Sequence, residues 1–175
     1  MSATIHPDSV PQRLQHLQRL ADRQAIGDLI MRLTLMLDDR RYDQAPAIFT
    51  DDVRVRTAAG SASGMAAVVE HARRNHTVRT QHAVCGLLID LQGDRATARA
   101  NFINTFVPDS DQPGAQLVIG NTVQRRSRLM LGERYHFEAV RTGFDWRLSS
   151  VEVTRVWSSH TVPAGAVVTE VSPAA

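Results

Sequence analysis

The sequence predicts an α+β fold: a curled, mostly antiparallel sheet in a cone shape, with three N-terminal helices packed against it. Two observations carry this. Up to about residue 74 apolar residues recur at three- and four-residue spacings, and from about residue 80 they alternate. Helices gathered first and long strands after them give α+β rather than alternating βαβ units. The 175 residues are enough for one real core, and no repeat or linker divides them. One domain over 13–160 is therefore expected. A polar tail, 1–12, precedes it, and a tail rich in Ala, Val, Ser and Pro, 161–175, follows it and is expected to cover the cone mouth or a partner copy.

The elements follow in order. Leu14, Leu17, Leu20, Ala21, Ile26, Leu29, Ile30, Leu33, Met36 and Leu37 predict one long amphipathic helix over 13–37, ending in Asp38-Asp39-Arg40-Arg41. A short helix is expected from Gln44 to Phe49, with Asp43 as its cap and Pro46 in its first turn. Thr50-Asp51-Asp52 reads as a break before a strand over Val53–Thr57. Gly60 to Gly64 reads as a turn, and Met65, Val68, Val69 and Ala72 mark a third helix over 65–74. Strands are then expected over His82–Leu91, Arg95–Val107, Leu129–Thr142 and Trp146–Trp157, with weaker strand character near Leu117–Ile119. Gln92-Gly93-Asp94 and Gly143-Phe144-Asp145 are the turns between them, and the Pro- and Asp-rich stretch 108–116 is a loop. Apolar residues on both sides of the last strand, such as Val151, Val153 and Trp157 opposite Leu148 and Val156, leave a sheet face to cover, so a homodimer is expected.

Composition excludes several chemistries. All 20 basic residues are arginine, so no lysine is present for a Schiff base, a pyridoxal-phosphate site or a phosphate loop. The net charge of +2 is spread along the chain, and the Arg125, Arg126 and Arg128 cluster reads as a solvated loop rather than a nucleic-acid patch. Cys85, the one cysteine, allows no internal disulfide and no cysteine-based zinc cluster. No apolar run is long enough to span a membrane and no signal pattern opens the chain, so a cytoplasmic protein is expected. Histidine spacings suited to metal, the G-x-S-x-G elbow and the G-x-G-x-x-G fingerprint are all missing. Neither metal nor other cofactor is expected.

Two residues stand out. Asp38 closes the long helix, four residues after Thr34 and eight after Ile30. A carboxylate there faces the negative end of the helix dipole, which argues for a task besides helix stability. It either holds the turn with Arg40 and Arg41 or serves chemistry. His82 opens an apolar strand beside Gln81. It is either a structural hydrogen bonder or a proton carrier. His71 and His76 flank the end of the third helix and read as exposed, and His136 is a weaker pocket candidate. Ala98, Ala100, Phe102, Asn104 and Phe106 share one face of a strand, which suits a small apolar ligand, and Tyr135 is a further binding candidate.

Four stretches resemble the SnoaL-like branch of the nuclear-transport-factor-2-like superfamily. They are residues 20–30; Leu37-Asp38-Asp39-Arg40-Arg41-Tyr42-Asp43 continuing to Val53; Thr80-Gln81-His82 with 93–100; and Gly132-Glu133-Arg134-Tyr135-His136 with 140–142 and 146–148. The resemblance implies the cone fold and frequent dimers. It also implies an Asp–His pair shared by dehydratases and dehydrochlorinases of the family, onto which Asp38 and His82 fall. His would take a proton beside an activating group, Asp would hold it, and a leaving group would depart.

Departures narrow this. Scytalone dehydratase has a second histidine where Phe106 stands here, and a tyrosine where Leu37 stands, so its own leaving-group machinery is missing. Asn104 is then a hydrogen-bond donor candidate, and Arg141 occupies a position where the dehydrochlorinase resemblance allows an arginine to assist leaving-group departure. The expectation is a cofactor-independent lyase acting on a small hydrophobic substrate. The alternatives are a cofactor-free isomerase, cyclase or hydrolase of a polyketide, terpenoid or steroid-like molecule, and a non-catalytic binding module.

Overall fold

A computed structural model describes residues 9–107, 116–119, 122–125 and 128–161. The expectations for residues 1–8 and 162–175, including the tail over the cone mouth, lie outside the described residues.

Helix α1 spans Val10–Asp38, three residues earlier than its apolar period suggests. Pro11 sits in the first turn, where its missing N–H costs nothing. Ser9 precedes the helix as its cap, with its backbone N–H bonded to Gln12 Oε1 at 2.7 Å. Leu14, Leu17 and Leu20 remain exposed, and continuous burial begins with Ile26 and Ile30. The helix thus overhangs the sheet at its start and enters the core only in its second half. At Asp22 the overhang is tied down: Arg141, Trp146 and Gln18 all donate to this carboxylate.

A 3-10 turn over Tyr42–Gln44 leads into α2, Ala45–Ile48. Strand β1 then covers Phe49–Thr57. Thr50-Asp51-Asp52 follows the end of the short helix as read, but lies within β1 rather than ahead of it. It occupies an irregular stretch of β1, where the pairing with the last strand shifts register between Phe49 and Arg54. Strand β2, Gly60–Ser63, folds back on β1 where a plain turn is expected. Gly64 follows at φ 83°, a conformation open to glycine, and starts α3 over Met65–Asn75.

The long strands are β3 (Arg79–Gln92), β4 (Arg95–Val107), β7 (Arg128–Thr142) and β8 (Asp145–Thr161). The six-stranded sheet has the order β2-β1-β8-β7-β4-β3. β1 and β8 run parallel, and the other pairs are antiparallel. β5 (Gln116–Ile119) and β6 (Thr122–Arg125) form a separate two-stranded sheet. The concave face of the main sheet carries Ala96, Ala98, Ala100, Phe102, Phe137, Leu148 and Val151, and α1 and α3 supply Ile26, Ile30, Met36 and Val68 to the same core. Small alanines on β4 leave room for the helices, and the period-2 pattern of the strand sets which face they line.

Gly132 holds a special place in β7. A Cβ on it would overlap the indole of Trp157, its register partner on β8. No helix among the described residues is long and apolar enough to cross a membrane.

Candidate active site

The site starts where α1 ends. Arg40 takes φ 55°, a left-handed conformation that reverses the chain just after Asp38 and Asp39. The Asp38 side chain points across to the start of β3. Thr80 Oγ1 donates to Oδ1 at 2.9 Å, the His82 backbone N–H donates to Oδ2 at 2.9 Å, and His82 Nδ1 lies 2.6 Å from Oδ1. A carboxylate accepts, so Nδ1 carries the proton, and in the neutral ring Nε2 keeps its lone pair. Burial would raise the Asp38 pKa. Hydrogen bonds from the His82 ring and backbone, the charge of His82 and the Thr80 hydroxyl outweigh it and hold the carboxyl below its usual range. The His82 side chain is 2% exposed.

His82 lines a largely apolar cavity of about 110 Å³ that opens to solvent. Leu33, Met36 and Val68 wall it from the helices, and Phe49, Leu131, Val151 and Val153 from the sheet. Its apolar lining lowers the local dielectric, which strengthens charge interactions there. Among the described residues, no group of three His, Cys, Asp or Glu side chains is placed to hold a metal ion.

The other residues singled out in the sequence fall in three places. Asn104, Phe106 and Tyr135 line the cavity with His82. Phe106 meets the His82 ring edge-on at 6.4 Å between centroids. Phe102 lies behind this wall, stacked on Tyr135 at 3.9 Å, and belongs to the core rather than the lining. Arg141 is not brought to the site. Its Nη2 lies 2.7 Å from Asp22 Oδ2 and its Nε 2.9 Å from Asp94 Oδ1, so its charge is spent fixing the overhang of α1.

Besides His71, two lining residues escape the sequence reading. His76 is not exposed: its ring is half-buried, 5.3 Å from that of His82 and 6.2 Å from that of Phe106. Burial first, then the neighbouring His82, pushes its pKa down to about 4. The signal was present, because the stripe Val68, Ala72 continues at the same spacing to His76. His71 is likewise buried, with Nε2 3.2 Å from Thr57 Oγ1. The second residue is Glu133, a carboxylate only 8% exposed. It shares the parity of Leu129, Leu131, Tyr135 and Phe137 on β7, which marks it as inward-facing.

Comparison with known proteins agrees with this architecture. A family model described as a SnoaL-like domain matches residues 18–152. No curated protein sequence matches the chain. Among solved structures, a type 2 hexachlorocyclohexane dehydrochlorinase superposes with a TM-score of 0.70 at 19% identity, covering 90% of this chain and 98% of its own. A scytalone dehydratase-like protein from Novosphingobium aromaticivorans gives 0.67 at 18% identity, covering 85% and 97%. The Kfla4162 protein of Kribbella flavida gives 0.66 at 24% identity, covering 81% and 95%. At these identities the structural likeness speaks to fold, and the family match extends over most of the sequence: the chain belongs to the SnoaL-like domain family.

Proposed function

We propose that the protein is a cofactor-independent lyase of the dehydratase type, acting on a small hydrophobic molecule through Asp38 and His82. One observation carries the reading: His82 Nδ1 is held by a half-buried carboxylate at 2.6 Å while the ring lines an apolar cavity. That arrangement fixes the tautomer and leaves Nε2 as a base. In the proposed step Nε2 takes a proton from a carbon next to an activating carbonyl. The C–H electron pair becomes the new C=C bond as the C–O bond to a neighbouring hydroxyl breaks. The imidazolium returns its proton to the departing oxygen, so the products are the unsaturated compound and water, and His82 is restored. Asp38 stabilises the imidazolium between the two transfers. The dehydrochlorinase and dehydratase-like neighbours lend the reading a general precedent in elimination chemistry.

The test is a panel of apolar β-hydroxy ketones incubated with native protein and with His82→Ala, followed by mass spectrometry. Loss of the elements of water with the native protein alone is expected. Deuterium uptake at carbon without elimination would replace this reading by an isomerase. A native protein that neither eliminates nor exchanges across the panel would leave a binding module.

We also propose that the molecule is a homodimer joined through the outer sheet face. Ile103, Val156 and Trp157 are exposed apolar side chains on β4 and β8, the kind of surface that a partner covers. Light scattering should give about twice the 19.4 kDa chain mass, and a mass of one chain at micromolar concentration would refute it.

A further inference from the structure

The cavity wall beside His82 carries a polar cluster that the proposed elimination leaves unused. Its centre is Asn104, 1% exposed and directly opposite His82 in the β3–β4 ladder. Both N–H bonds of its amide are committed. Nδ2 donates to Glu133 Oε2 at 2.7 Å and to the Tyr135 hydroxyl oxygen at 3.1 Å. The Tyr135 hydroxyl in turn bonds to Glu133, and burial together with that negative charge raises its pKa. Arg155 Nε stands 3.6 Å from Glu133 Oε1 and balances the charge.

This network fixes the amide's orientation. A carboxylate takes an N–H and repels a carbonyl oxygen, so Asn104 cannot turn over without opposing two acceptors. Its Oδ1 is consequently the atom left out, buried and without a hydrogen-bond partner. An acceptor abandoned in this way is destabilising unless a ligand supplies a donor. The sequence reading makes Asn104 a donor to the substrate; the network reverses that role.

The neighbouring nitrogens have the same polarity. His76 Nδ1 lies 2.9 Å from the Ala72 carbonyl oxygen, so it must donate, and Nε2 of the neutral ring is an acceptor. His82 Nε2 is the third acceptor, because Asp38 holds the proton on Nδ1. Two donors of the cavity wall, the Tyr135 hydroxyl and the Arg155 guanidinium, face Glu133.

We propose that the cavity selects an apolar molecule carrying a hydroxyl group, an alcohol or phenol, that donates its hydrogen to Asn104 Oδ1. It discriminates against the same skeleton with an ether, a halogen or a bare hydrogen at that position. A site built from buried acceptors rejects an analogue without the donor, because the acceptor then stays unpaired. The inference rests on the lyase reading only in calling this molecule a substrate; the binding preference stands on the cluster itself.

The experiment is calorimetric titration of the full chain with naphthol, methoxynaphthalene, chloronaphthalene and naphthalene, the first three substituted at the same carbon. Naphthol should bind about 10-fold tighter than each of the others, naphthalene controlling for size. In Asn104→Leu, checked for native melting, the preference should fall to within about 2-fold. Glu133→Gln gives a second route, since its own N–H₂ would let the amide turn over and would weaken the preference without removing Asn104. Equal binding of the four compounds by the native chain, or no binding of naphthol, would overturn the proposal. So would an undiminished preference in a folded Asn104→Leu or Glu133→Gln protein. The two claims separate in the native protein: a naphthol preference with no elimination sinks the lyase reading alone, and elimination without the preference sinks this one alone.

Discussion

Asp38 holds His82 at two points, the ring through Nδ1 at 2.6 Å and the backbone N–H at 2.9 Å. The carboxylate therefore ties the end of α1 to the start of β3 and orients the imidazole in one stroke. Asp38→Asn keeps an acceptor for one of these contacts but removes the charge that stabilises an imidazolium. We expect it to lower the elimination rate by about 10²–10⁴-fold while the far-ultraviolet spectrum is unchanged. Steady-state kinetics of the purified variant check this, and a rate within a factor of about three of native would detach Asp38 from the chemistry.

His76 makes stability depend on pH. Its folded pKa is about 4, against about 6.5 in an unfolded chain. Between these values the unfolded state binds more protons, so stability falls as pH drops below about 6.5 and this loss levels off near 4. His82, Asp38 and His71 all act on the ring, and the acid-side loss from Asp38 sets in lower, as pH falls through the ordinary aspartate value of 3.8 toward its depressed folded value. Denaturant titrations of native protein and His76→Phe across this range should diverge in that window, the variant being flatter.

Arg141 works through Asp22 and Asp94 at one end of the sheet. Arg141→Gln should cost stability, about 1–3 kcal/mol, because it leaves the Asp22 carboxylate short of its charged partner. The rate of elimination should change far less than in His82→Ala. A variant that melts like native but loses activity would return Arg141 to the reaction.

Gly132 and Trp157 form a packing pair in which the indole fills the space a methyl would take. Gly132→Ala should destabilise by about 1–3 kcal/mol through overpacking. In a Trp157→Ala background the same change should cost little, and the two substitutions should be strongly non-additive in a double-mutant cycle.

How much of this was legible in the sequence varies with the physics of each element. The strands were readable because period-2 alternation in Arg95–Val107 directly reports which side faces the core. The start of α1 was misread because Pro11 suggests irregular chain when in fact it suits a first helical turn. Asp38 and His82 were visible as individuals, and their meeting was implied by the family resemblance alone, since 44 residues separate them and pairing is decided by the tertiary fold. Arg141 was misplaced for the same reason: a strand position shows the side of a sheet and not which end of it lies near the cavity. His76 and Glu133 each sat on the parity or spacing of an apolar face, but a polar residue in such a place reads as exposed until its partners are known.

The central claim is that Asp38 sets His82 as a base with Nε2 open, and ring nitrogen-15 NMR of histidine-labelled protein tests it most directly. Native protein should show His82 in the neutral ring protonated on Nδ1, with Nε2 bearing the lone pair, and Asp38→Asn should shift this tautomer balance. A native His82 protonated on Nε2, or a tautomer unaffected by Asp38→Asn, would contradict the account.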